Sequence, residues 1–302
     1  MWRRACAWRC SIYHEVNKQV LDHKKIAFIG PGAMAEAMIF GLVRQGLAAP
    51  GAMIAAGPRQ ERLDQLNSLY GVLGDLDNAS AARQADVVVL SVKPQRLERV
   101  LAGLNGVVPE KAMVLSIVAG ASIEKISSGL GHSIIVRSMP NTPAQIGEGI
   151  TVWTASAGVS AEQLEMTRQI LGALGQEIFV EEESYLDMAT ALSGTGPAYV
   201  FLFMEAMVDA GVHLGFPRRI AEQLVAQTVR GAVDYYTRRD DPVHLARLRN
   251  EVTSPGGTSA AALYYLEKAG FRTAISRAIW AAYERSQELG KGGQGRAPDQ
   301  RA

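Results

Sequence analysis

Two stretches of this chain place glycines, hydroxyls and backbone N–H groups at spacings suited to binding anions. The first is Gly30-Pro31-Gly32 followed by Ala35, a G-x-G-x-x-A turn. In such a turn the first glycine permits the tight bend and the second lets backbone approach a diphosphate. The small third residue keeps a helix close to a strand. The N-terminus of that helix adds unpaired N–H groups and a partial positive charge, which makes Gly30, Gly32, Ala33 and Met34 a candidate diphosphate cradle. The second stretch is Val252-Thr253-Ser254-Pro255-Gly256-Gly257-Thr258-Ser259, which opens a helix expected over Ala260–Lys268. Its N–H groups, with the Thr258 and Ser259 hydroxyls, suit a carboxylate. An ordinary capped helix start would use the same residue types.

Two polar, proline-bounded loops add candidates. Ser91-Val92-Lys93-Pro94-Gln95 and Ser138-Met139-Pro140-Asn141-Thr142-Pro143 each follow an apolar run. A dinucleotide site also needs a residue for the adenosine ribose, and an acid near the end of the second strand selects the free 2′-hydroxyl. No residue from Gly46 to Gln60 is acidic, and Arg59 stands where a 2′-phosphate would lie, with Arg62 one helical turn on. The pattern favours NADPH, with NADH the alternative.

These groups need a scaffold. Ile26–Ile29 is an apolar run of the length and make-up of a buried parallel strand, and Met34, Met38 and Leu42 mark one face of the helix after it. Further strands are expected at Met53–Gly57, Ala85–Leu90, Val114–Val118, Ile134–Arg137, Ile150–Trp153 and Glu177–Val180, with a helix over Ser160–Leu174. Strands alternating with helices predict an open, doubly wound, mostly parallel Rossmann-type sheet. Ligands of such sheets sit beyond the carboxyl ends of the strands, so Val92, Lys93, Pro94, Pro140 and Asn141 are expected to line the nicotinamide half of the cleft. After Glu183 the pattern turns wholly helical, and Glu181–Glu183 suggest a solvated hinge. The expected division is an N-terminal extension over 1–23, a nucleotide domain over 24–182, a helical domain over 183–290 and a tail over 291–302. In the helical part, Pro197 suits the first turn of a helix through Phe201, Met204, Val208 and Val212. Leu202, Phe203 and Met207 lie off that stripe, so a subunit interface is expected there.

Composition bounds the rest. With 31 basic and 30 acidic residues in 302, nothing points to nucleic acid. No apolar run is long enough to suggest a membrane span. Both cysteines, Cys6 and Cys10, lie in the extension, which fits a reducing, cytoplasmic setting, and the five histidines lack metal-ligand spacing.

Taken together, FIGPGAMAEAM, SVKPQ, RSMPNTPA, SGTGPAY and VTSPGGTS resemble, in this order, the motifs of the pyrroline-5-carboxylate reductases. The resemblance spans Lys25 to Leu289. It implies NADPH-dependent reduction of (S)-1-pyrroline-5-carboxylate to L-proline, a helical domain that pairs with a partner's, and often a larger ring of dimers. It further implies a substrate carboxylate on the N–H groups of Gly256, Gly257 and Thr258, beside Ser254. The Ser259 hydroxyl would then face the ring nitrogen, to orient the imine or to relay a proton from water, with Thr258 next to it. The chain departs from the family pattern at Ala33, where asparagine is usual, at Ala35, often glycine, and at Ser259, commonly threonine. Two alternatives are a β-hydroxyacid dehydrogenase and a non-catalytic NADP-binding regulator. The first carries a lysine on its long interdomain helix, and Ser193–Leu214 has none. The second has only Ala33 in its favour.

Overall fold

The computed structural model describes residues 20–290. Most of the expected extension, up to residue 19, and the tail 291–302 lie outside the described residues. Residues 20–23 do not stand apart from the fold: Leu21 is buried in the first core, and its carbonyl accepts from the Lys24 N–H at 3.1 Å.

Eight strands form one sheet: β1 (Ile26–Ile29), β2 (Met53–Ala56), β3 (Leu73–Asp75), β4 (Val87–Leu90), β5 (Met113–Ser116), β6 (Ile135–Met139), β7 (Gly149–Ala155) and β8 (Gly175–Phe179). Their order is β3-β2-β1-β4-β5-β6-β7-β8, parallel except where β7 runs against β6. The doubly wound, mostly parallel expectation holds. Sequence reading found seven of these strands and missed β3, which has only three residues, is largely exposed and contains Gly74. An edge strand with so little to bury carries no apolar run to find.

The helices of this part are α1 (Ala33–Gln45), α2 (Gln60–Tyr70), α3 (Asn78–Arg83), α4 (Pro94–Leu104), α5 (Ile123–Leu130), α6 (Ala161–Gly172) and α7 (Tyr185–Ala189), the last followed by a π-helical turn, Thr190–Gly194. Alternate residues of the central strands feed two cores. Phe28, Val87 and Leu115 pack with Met38 of α1, Leu66 of α2 and Ile170 of α6. Ile29, Val88 and Val114 pack with Ala81 of α3, Leu101 of α4 and Ile126 of α5. Both sheet faces are therefore covered, which is why these strands read as continuous apolar runs.

The remaining helices are α8 (Gly196–His213), α9 (Arg218–Thr237), α10 (Leu245–Glu251), α11 (Thr258–Lys268) and α12 (Phe271–Gly290). Contacts divide the described residues into two compact units, the second running from Thr195 to Ala282, while residues 283–290 belong to the first. Within the second unit α8 and α9 pack around Val208, Ala221 and Val225. Glycine and proline interrupt the sequence before Tyr199, and there a bend at Thr195 separates the π-helical turn from α8. By length and composition Tyr185–His213 just reaches what a membrane-crossing helix needs, and one such segment is weak evidence of a span.

Candidate active site

The register aligns the ends of the strands. Ile29 pairs with Ala56 on one side and Leu90 on the other, Leu90 with Ser116, and Ser116 with Arg137. The loops after β1, β2, β4 and β6 thus leave one edge of the sheet. The strand order reverses between β1 and β4, the place where open α/β sheets bind ligands.

At that point Gly30 has φ 91°, and a Cβ there would lie 2.5 Å from Val92 Cγ1. Only glycine satisfies both the bend and the contact. The Ser91 hydroxyl donates to the carbonyls of Ile29 and Gly30 at 3.1 and 2.9 Å, so the loop carrying Val92, Lys93 and Pro94 is pinned to the glycine turn. Gly32 is the N-cap of α1 and has no side chain to cap it. Its own N–H donates to Gly30 O at 2.7 Å, whereas the N–H groups of Ala33, Met34 and Ala35 have no partner among the described residues. Three donors and a helix dipole therefore face outward at the switch point, and the site fits a diphosphate.

The two arginines after β2 differ sharply. Arg59 is the exposed N-cap of α2, and its guanidinium has no ion pair or hydrogen bond among the described residues. Arg62 is committed: its Nε donates to Pro31 O at 3.0 Å and its guanidinium pairs with Glu36. Glu36 also accepts from the Tyr70 hydroxyl at 3.0 Å. Burial, followed by that hydrogen bond and the charge of Glu36, raises the Tyr70 pKa above its ordinary value, so Tyr70 stays a neutral donor. Lys93 is exposed at the N-terminus of α4, and Pro94 opens that helix. Pro140 is buried, and the Asn141 side-chain oxygen accepts from Ile150 N–H at 3.0 Å, holding the turn between β6 and β7. Sequence reasoning overlooked Asn78, which follows the missed β3 and keeps a buried Oδ1 without a partner. With β3 unrecognised, no signal placed it at the rim.

The other candidate loop lies in the second unit. Ser254 O accepts from Gly257 N–H at 3.0 Å, with Pro255 and then Gly256 (φ 71°) between them, the residue pattern of a type II turn. This corrects one expectation. The Gly257 N–H closes the turn and is not open to an anion, and a Cβ on Gly257 would lie 2.5 Å from Ser254 Oγ. Gly257 is the N-cap of α11 with no side-chain cap, so Thr258 and Ser259 stand inside the helix rather than capping it. Their hydroxyls have no partner among the described residues, unlike Thr253, whose hydroxyl donates to Arg249 O at 2.6 Å.

Residues 183–289 match the family model for pyrroline-5-carboxylate reductase dimerisation, and residues 25–120 match that for NADP oxidoreductase, coenzyme F420-dependent. A pyrroline-5-carboxylate reductase of Synechocystis is 43% identical over 267 residues, covering 88% of this chain and 98% of that protein. This chain belongs to the pyrroline-5-carboxylate reductase family. The reductase of Pseudomonas aeruginosa is 41% identical over 88% of this chain and 96% of its own length. Among solved structures, the pyrroline-5-carboxylate reductase of Coxiella burnetii superposes with a TM-score of 0.80 at 37% identity, covering 88% and 98% of the two chains. The Plasmodium falciparum pyrroline carboxylate reductase, solved with NADP bound, gives 0.81 at 31% identity, covering 89% and 99%. Of the departures from the reductase pattern, Ala33 supplies a free N–H but no polar side chain, and Ser259 keeps its hydroxyl.

Proposed function

We propose that this protein reduces (S)-1-pyrroline-5-carboxylate to L-proline with NADPH. The observation that carries the reading is the loop before α11, where a closed turn leaves the helix N-terminus uncapped and two hydroxyls unpartnered. That is chemistry for a small carboxylate with a polar ring atom beside it, on a chain of this family. The N–H groups of Gly256, Thr258 and Ser259 hold the carboxylate, and the Ser259 hydroxyl accepts from the protonated imine nitrogen. On the first unit, the Ala33, Met34 and Ala35 amides hold the diphosphate, Arg59 the 2′-phosphate, and the loops carrying Val92–Pro94 and Pro140–Asn141 the nicotinamide end. The nicotinamide, when bound, supplies the hydride. No Asp, Glu, His or Lys occurs from Val252 to Leu266, so this loop positions the imine and does not protonate it. The absence of lysine from Ser193 to Leu214 weighs against the hydroxyacid dehydrogenase reading, because alcohol oxidation needs a base.

The working form is a homodimer joined through α8, α9, α11 and α12. In the second unit the described buried apolar core is Val208, Ala221 and Val225, while Phe201, Leu202, Tyr265 and Trp280 are each more than half exposed. The family model matched there is one for dimerisation, so a second copy is the occupant of this surface rather than lipid. A body without cysteine from residue 20 to 290 suits the cytoplasm. The direct test follows NADPH absorbance with purified protein and the cyclic imine. Binding of NADPH without turnover, from mildly acidic to mildly alkaline pH, would defeat the assignment and leave the regulator reading.

A further inference from the structure

The glycine turn is held from outside by Arg62, a side chain that the proposed mechanism does not use, and its part in binding rests on the proposed nucleotide site of the first unit. Arg62 reaches from α2 with three contacts: Nε to Pro31 O at 3.0 Å, one terminal nitrogen to Glu36, the other to Gln65 Oε1 at 2.6 Å. The Pro31–Gly32 peptide group is thereby fixed at both ends. Its C=O faces Arg62, and its N–H donates to Gly30 O at 2.7 Å. Pro31 is gripped from the β2 side as well, since a Cβ on Gly57 would lie 2.8 Å from its Cδ.

Charge gives the same residue a second task. Glu36 sits in the first turn of α1, the helix whose free amides face the diphosphate position. An uncompensated carboxylate there would repel a phosphate. Arg62 pairs with it at a site where both side chains are largely shielded, 16% and 27% exposed, so the pairing is not simply screened away.

We propose that Arg62 is a positioning residue of the nucleotide site: it fixes the Pro31–Gly32 peptide and neutralises Glu36, serving the diphosphate that NADPH and NADH share, while Arg59 alone distinguishes the two cofactors. The two arginines, three residues apart at one helix start, thus divide affinity from specificity.

Fluorescence titration of the full-length protein with NADPH and with NADH separates the roles. Arg62→Met should weaken both cofactors by the same factor, about three- to tenfold, and leave their ratio constant to within about twofold. The rate at saturating cofactor should be unchanged. Adding Glu36→Gln to Arg62→Met should recover part of the loss for both cofactors, because the repulsion goes with the charge. Arg62→Lys, which keeps the charge but not the fork to Pro31, should show a smaller loss, again equal for both, and serves if Arg62→Met does not fold. A loss confined to NADPH would make Arg62 a 2′-phosphate ligand and overturn the proposal. Unchanged affinity for both would overturn it too, leaving a surface ion pair. Failure of the unsubstituted protein to bind either nucleotide would instead remove the functional reading itself.

Discussion

Arg59 and Arg62 show how far a residue's surroundings decide its role. Arg59 is solvent-facing and unpaired, able to meet a phosphate without breaking anything, whereas Arg62 would first have to abandon Pro31 and Glu36. Arg59→Ala is therefore expected to raise the KM for NADPH about tenfold, the loss of one charge-assisted pair at an exposed position, with the KM for NADH nearly unchanged. Steady-state kinetics with both cofactors check this, and equal effects would assign Arg59 to general positioning. Ser259 is argued the same way, from a hydroxyl with no other occupation. If its hydrogen bond holds the protonated imine in line for hydride transfer, Ser259→Ala should lower kcat and kcat/KM together, by about tenfold. A raised KM with kcat intact would mean uniform binding, and unchanged kinetics would pass the role to Thr258.

At the scale of elements, a buried arginine ties four segments of the first unit. Arg137 on β6 pairs with Glu183 at 2.9 Å and with Asp187 of α7 at 3.0 Å. Glu183 also accepts from Ile123 N–H at the start of α5, and Asp187 from the Ser286 hydroxyl near the end of α12. Glu183 is thus not part of a solvated hinge. An arginine in mid-strand looks exposed in a sequence, and only its partners from distant segments make its burial tolerable. Arg137→Met fits the strand but strands two carboxylates, one bonded to Ile123 N–H and one to Ser286. It should cost roughly 2–3 kcal/mol in urea denaturation, with Asp187→Asn costing less because Glu183 still holds the guanidinium. A neutral Arg137→Met would show that the network contributes nothing net.

For the whole molecule, the second unit's exposed apolar side chains predict that folding and pairing are one event. Light scattering with activity assays across a dilution series should find no stable, active monomer at micromolar concentration. Leu202→Glu, with its side chain 67% exposed, should dissociate or unfold the protein, whereas a free surface leucine would tolerate the change within about 0.5 kcal/mol. The formal net charge of +1 leaves little long-range repulsion to oppose association.

Much of this was legible in the sequence because it is local. The strand, glycine turn and helix at Ile26–Gln45 announce themselves through a buried apolar run, two glycines and a four-residue periodicity. The loop Thr253–Ser259 does so through proline and glycine at fixed offsets. The end of the strand-like apolar runs near Glu183 also separated a sheet-forming part from a helical one. What escaped was decided by contacts between residues far apart. Leu73–Asp75 becomes a strand only because β2 lies beside it, and Leu21 joins the core only because the sheet covers it. Which of two neighbouring arginines is free depends on Glu36 and Pro31, some 26 and 31 positions away. Whether the Gly257 N–H meets a ligand or Ser254 depends on how the turn closes. Periodicity and residue type report what one segment prefers, whereas the pairing of a donor, an acceptor or a charge is settled by which segments the fold brings within hydrogen-bonding distance.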